Sequence, residues 1–243
     1  NPYHNWAYYG VLHEVLMIDG LPTATHKVPG CHIVARSSPT KRAATKKEKY
    51  EQDAKILLKE HKKNPKDTRT LFYFAQSYRD SGHHAKAIKY YKKRLELPED
   101  GFKDELEIAA SELSKAMVKL KRSPADCAYW MMKAWEYNPY RIEPAILLME
   151  VYMLQEMYFS AFAIAQAAAE IVDSKHVNLH HSDYDRDVRF RAHYSYCCYR
   201  LGLYDLAVSN LENVLKCEMS DKERIAHEGH LKAYKEALEK SKS

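Results

Sequence analysis

Glycine is scarce in this sequence, with 7 residues in 243. Barrels, sandwiches and phosphate-cradling loops need glycine at tight turns, so its scarcity points to helices joined by short connections. Cysteine is neither abundant nor patterned. Cys31, Cys127, Cys197, Cys198 and Cys217 are an odd number without ligand-like or disulfide-framework spacing, which reads as free thiols in a reducing, cytoplasmic compartment. The longest apolar run, Tyr158 to Val172, is broken by Ser160, Gln166 and Glu170 and falls short of the ~20 residues of a membrane-spanning helix. Walker loop, dinucleotide-binding glycine pattern, zincin motif and nucleophile elbow are all missing. The chain starts at Asn1 with neither an initiator methionine nor a basic-then-apolar leader, which reads as a piece cut from something longer.

What is present suits a folded chain: 46% hydrophobic and 29% charged residues, enough for a core and too apolar for disorder. The 19 tyrosines suit wedges between packed helices. Between Arg36 and Lys66 eleven Lys or Arg face only four Asp or Glu. No ladder of stacking aromatics accompanies these cations, so they read as a solvated helix face, and nucleic acid is not the expected partner.

Residues 1–44 carry Gly10, Gly20, Pro22, Pro29, Gly30 and Pro39, with β-branched stretches such as Cys31 to Ala35, and read as strands and loops. Two or three short strands cannot bury a face alone, so this segment is expected to be the remnant of an α/β domain. Residues 45–243 change to a helical period, first over Tyr50, Ala54, Leu57, Leu58 and His61 up to Asn64-Pro65. A unit of about 34 residues then recurs, two antiparallel helices with small residues at their crossing. Ala75, Gly82, Ala87 and Tyr91 set its register, with Phe74 and Tyr78 beside the crossing. A degenerate second copy covers Leu106 to Leu120 and Ala125 to Tyr137; a third begins near Ile142 and a fourth near Val188. Asp173 to Asp187 reads as a long loop, and Asp221 to Lys240 as a terminal helix covering the last repeat. The expected fold class is mostly α, a tetratricopeptide-like helical repeat (α-solenoid) after a short strand and loop segment.

The concave face of such repeats is the natural place for a partner. In this register it carries Arg69, Phe72, Gln76, Arg79, Arg189, Tyr196, Tyr199 and Arg200, rich in the residue types that dominate interface energetics. An acidic or carboxylate-ended segment is the expected guest. His83-His84 and His180-His181 read as solvated loop residues rather than ligands, and no metal site is expected. His13-Glu14 is the one pairing held back for chemistry.

Five short stretches resemble the repeat tail of family 2, inverting glycosyltransferases of bacteria and large DNA viruses. They are Lys49 to Leu58, Thr70-Leu-Phe-Tyr-Phe-Ala-Gln-Ser-Tyr-Arg-Asp80 with Lys89 to Arg94, and Ala134 to Pro139 with Arg141 to Pro144. Trp6 to Leu16 is similar to the closing segment of that family's catalytic domain. The resemblance implies sugar transfer from a nucleotide-sugar by the whole protein and a divalent metal, Mn or Mg, held upstream. It also implies His13 and Glu14 at the border of the acceptor site, a protein or glycan acceptor on the repeats, and no turnover by this chain alone. The second reading is a tetratricopeptide interaction scaffold without enzymatic role.

Overall fold

Helix begins at Thr45, whose hydroxyl accepts from Glu48 N–H while the Glu48 carboxylate accepts from Thr45 N–H, so both ends of the first turn are satisfied. The computed structural model describes residues 4–22, 45–97, 103–173 and 184–242. Helix α1 (Lys46–Lys63) stops at Asn64 ahead of Pro65, and Asp67 caps α2 (Thr68–Asp80) through the N–H groups of Arg69 and Thr70. Helix α3 is His84–Glu96. Before them lies an antiparallel meander, β1 (Trp6–Tyr9), β2 (Val15–Ile18) and β3 (Leu21–Pro22), with Trp6 opposite Ile18 and Tyr9 opposite Val15. Leu12 in its turn packs on the core of Ala54, Leu57, Leu71 and Phe74.

The chain divides into two units, Asn1–Glu105 and Leu106–Ser243. This break falls inside α4 (Lys103–Lys119); the boundary expected between residues 44 and 45 borders residues outside the described ones. Residues 23–44, with Cys31 to Ala35, lie outside the described residues, as do His180-His181 and most of the expected long loop. The second unit continues with α5 (Pro124–Tyr137), α6 (Ile142–Met153) and α7 (Tyr158–Asp173). A π-helical segment, Asp185–Phe190, runs into α8 (Arg191–Arg200), followed by α9 (Tyr204–Val214) and α10 (Asp221–Lys242). The fold class is the one the spacing predicts: α2 with α3, α4 with α5, α6 with α7 and α8 with α9 are the four repeats, and α10 lays buried Tyr234 on the last.

Each repeat closes on one turn geometry. Gly82 has φ +82° and Gly202 +76°, and the next N–H reaches back five residues, His83 to Tyr78 O at 2.8 Å and Leu203 to Cys198 O at 2.9 Å. The second and third repeats do the same without glycine: Lys121 has φ +50° and Glu156 +58°, and Arg122 N–H and Met157 N–H reach Met117 O and Tyr152 O, both at 3.0 Å. Ala75, Ser114, Met149 and Ser195 hold the same place before these turns, all 0% exposed. Where serine replaces alanine its hydroxyl is satisfied, Ser114 Oγ donating to Cys127 O at 2.8 Å and Ser195 Oγ to Ala207 O at 2.6 Å. Cys127, Cys197, Cys198 and Cys217 are free thiols, and burial pushes Cys197 up to about 11 and Cys198 to about 12, which keeps them protonated and inert.

Candidate functional site: the groove between α6 and α8

The eight residues expected on a partner face have different tasks in the structure. In the first unit Arg69 pairs with Glu105 at 3.0 Å, donates to His13 O at 3.1 Å and lies 4.9 Å from the Tyr73 ring centre. Phe72 is buried at 4% exposure against Tyr91 and Tyr73 and is no contact residue; three residues before Ala75, it shares that residue's inward face. Gln76 is half-buried with its carboxamide oxygen unbonded among the described residues, and Arg79 Nε donates to Asp80 at 2.8 Å. This set is largely spent on internal packing.

His13 and Glu14 sit in the β1–β2 turn. The imidazole stacks on Tyr73 with centroids 4.0 Å apart and planes 7° apart. Burial of that face, ahead of the opposing pull of Asp53, holds its pKa below the usual histidine value. The ring is a packing element joining hairpin to α2.

The second unit brings three of its four candidates together. Glu150, near the end of α6, accepts from Arg189 Nη2 at 2.7 Å and lies 2.8 Å from His193 Nε2; Arg189 also pairs with Asp185 at 3.2 Å. Burial pushes the Glu150 carboxyl up, but the bonds from His193 and Arg189 outweigh it and hold it below the usual carboxylate value. One turn on, Tyr196 and Tyr158 accept from Arg200 Nη1, and the Arg200 guanidinium lies 4.0 Å over the Tyr158 ring. A cavity of about 390 Å³ opens here, lined by Glu150, Met153, Leu154 and Tyr196. Tyr199 faces elsewhere, stacked on Tyr234 of α10 at 4.4 Å.

Glu150, Met153, Leu154, Tyr158 and His193 were missed in the sequence. The spacing of Arg189 and His193, one helical turn apart, is a signal of a shared anionic partner, but nothing local identifies Glu150 as that partner. Among the described residues no group of three or more His, Cys, Asp or Glu is placed to hold a metal ion, and no helix is long and apolar enough to cross a membrane.

No protein-family model matches the chain, and no curated protein matches it. Solved structures do. The fold is similar to MamA, with a TM-score of 0.56 and 18% identity over 69% of this chain and 87% of MamA. It is similar to YrrB, described as a TPR protein with an unusual peptide-binding site, at 0.56 and 20% over 76% of this chain and 89% of that one. A tetratricopeptide repeat protein from Parabacteroides merdae gives 0.57 and 14% over 77% and 68%. At these identities the likeness speaks for the fold alone, and the fold is that of tetratricopeptide-repeat proteins.

These neighbours correct the resemblance to a glycosyltransferase tail. They are repeat proteins covering most of the chain, and the N-terminal strands form a small meander seated on repeat helices. The nucleotide-sugar, the divalent metal, the glycan acceptor and the catalytic roles of His13 and Glu14 rested on that resemblance and lose their basis with it. Of the run Phe72 to Asp80 that suggested it, Phe72, Phe74, Ala75 and Ser77 are buried in helix packing and Arg79 pairs with Asp80.

Proposed function

We propose that the chain is a protein-interaction scaffold, with the groove between α6 and α8 holding a peptide segment of its partner. The observation that carries this is Arg200. It is exposed, immobilised over Tyr158 by two phenolic oxygens, and forms no ion pair among the described residues. A guanidinium held in place beforehand meets a carboxylate at little ordering cost. Beside it, Met153, Leu154 and Tyr196 offer apolar surface, while the Glu150 carboxylate is already engaged by Arg189 and His193. The likeness to a peptide-binding repeat protein supports the reading.

The test is selection of a phage-displayed library of random dodecapeptides on the purified chain. Enriched peptides are expected to carry Asp or Glu and to bind Arg200→Ala at least about tenfold more weakly, a loss of about 1.4 kcal/mol. Arg79→Ala, whose guanidinium is already paired with Asp80, is expected to bind them as the parent does. Absence of any enriched peptide, or equal binding by Arg200→Ala and Tyr196→Ala, would remove the proposal.

A further inference from the structure

Leu154 is 79% exposed and lines two cavities, the one described and a second of about 310 Å³ on the other side of α6. The second is walled by Val118, Val151 and Leu154, floored by the buried thiol of Cys127, and rimmed by Lys121 and Arg122. Its lining includes two cations and no carboxylate. Lys121 is held at φ +50° in a turn where the first and fourth repeats use glycine.

We infer that this cavity takes an apolar side chain of the same partner segment, flanked by an acidic residue, so that the scaffold reads an extended acidic segment with two apolar anchors. Packed helices lie about 8–10 Å apart and an extended chain advances about 3.3 Å per residue. Anchors reaching cavities on either side of α6 are therefore about three residues apart. Lys121 and Arg122 attract carboxylates at one end and Arg200 at the other, and a basic segment is rejected by like charge. This inference rests on the peptide-binding reading of the α6–α8 groove.

Fluorescein-labelled Asp-Leu-Ser-Ser-Leu-Asp, with Lys-Leu-Ser-Ser-Leu-Lys and Asp-Leu-Ser-Ser-Ser-Asp as comparators, is titrated by fluorescence polarisation. The first peptide is expected to bind at least about tenfold more tightly than either comparator. The double variant Lys121→Glu/Arg122→Glu and the single variant Leu154→Asp are expected to lose that margin. All three positions are exposed, and unchanged thermal melting by circular dichroism certifies their folding. If the double variant binds the acidic peptide as the parent does, while Arg200→Ala does not, the second anchor is wrong and the groove reading stands. If the single-anchor comparator binds equally well, the two-anchor inference is likewise overturned. If no acidic peptide binds at all, and library selection also yields none, both readings fall.

Discussion

The second helices of the first and third repeats occupy equivalent places with very different side chains. Ala87, Tyr91 and Arg94 on α3 stand where Ala161, Ala165 and Ala168 stand on α7, and all six are 0% exposed. In the third repeat the methyl stripe is met by Ile142, Ile146 and Met149 of α6, so the first helix supplies the volume. In the first repeat Tyr91 and Phe72 share the space edge to face, and Arg94 is sealed in with Glu105, Nη2 to Oε2 at 3.9 Å. Only the first of the three offsets is small in both, so close backbone approach is demanded at one point and the rest is a matter of filling volume.

Arg94 makes the first repeat the more fragile. Its Nε and both Nη atoms are buried without hydrogen bonds among the described residues, and Glu105 is the carboxylate that balances it, shared with Arg69. Glu105→Ala is therefore expected to destabilise by about 3–5 kcal/mol, the cost of a buried charge left alone. The double substitution Arg94→Met/Glu105→Leu is expected to cost less than Glu105→Ala alone, because no buried guanidinium is left unbalanced at residue 94 and only the partly exposed Arg69 loses its partner. Urea unfolding midpoints of the two variants decide the matter: a mild effect of Glu105→Ala would mean that the guanidinium is satisfied in some other way.

The second expected effect is smaller and common to both repeats. Ala87→Trp and Ala161→Trp each force a ring into a crossing with no exposure, and each should cost about 1–3 kcal/mol or more. Equal losses in the two would support a shared crossing point. A tolerated Ala87→Trp would show the register of the first repeat to be displaced.

Most of the fold was legible because crossing residues and turn glycines are local signals. Ala75, Gly82 and Ala87 set the first repeat, and Leu201-Gly202-Leu203 sets the fourth. The site was less legible, since Glu150 meets Arg189 and His193 across 39 and 43 residues of chain and no periodicity reports such a meeting. Phe72 was misplaced because a helix with Leu71, Phe72, Phe74 and Ala75 all buried has an inward face too wide for a simple count. Lys121 and Glu156 gave no warning at all, because neither residue type ordinarily marks a left-handed turn.

Those two turns give the smallest and most discriminating comparison. A side chain in the left-handed region costs about 1–2 kcal/mol, and glycine returns part of that gain through its freer unfolded chain. Lys121→Gly and Glu156→Gly should thus each raise stability by about 0.5 kcal/mol, within reach of urea midpoints measured side by side. Gly82→Ala and Gly202→Ala should lower it by about 1 kcal/mol, since both turns keep positive φ with open space around the added methyl. The two stabilised variants then part company in binding. Lys121 lines the second cavity and Glu156 does not, so only Lys121→Gly should weaken the acidic peptide. A strained lysine whose removal improved folding and left binding untouched would have no reason to stand at the cavity rim.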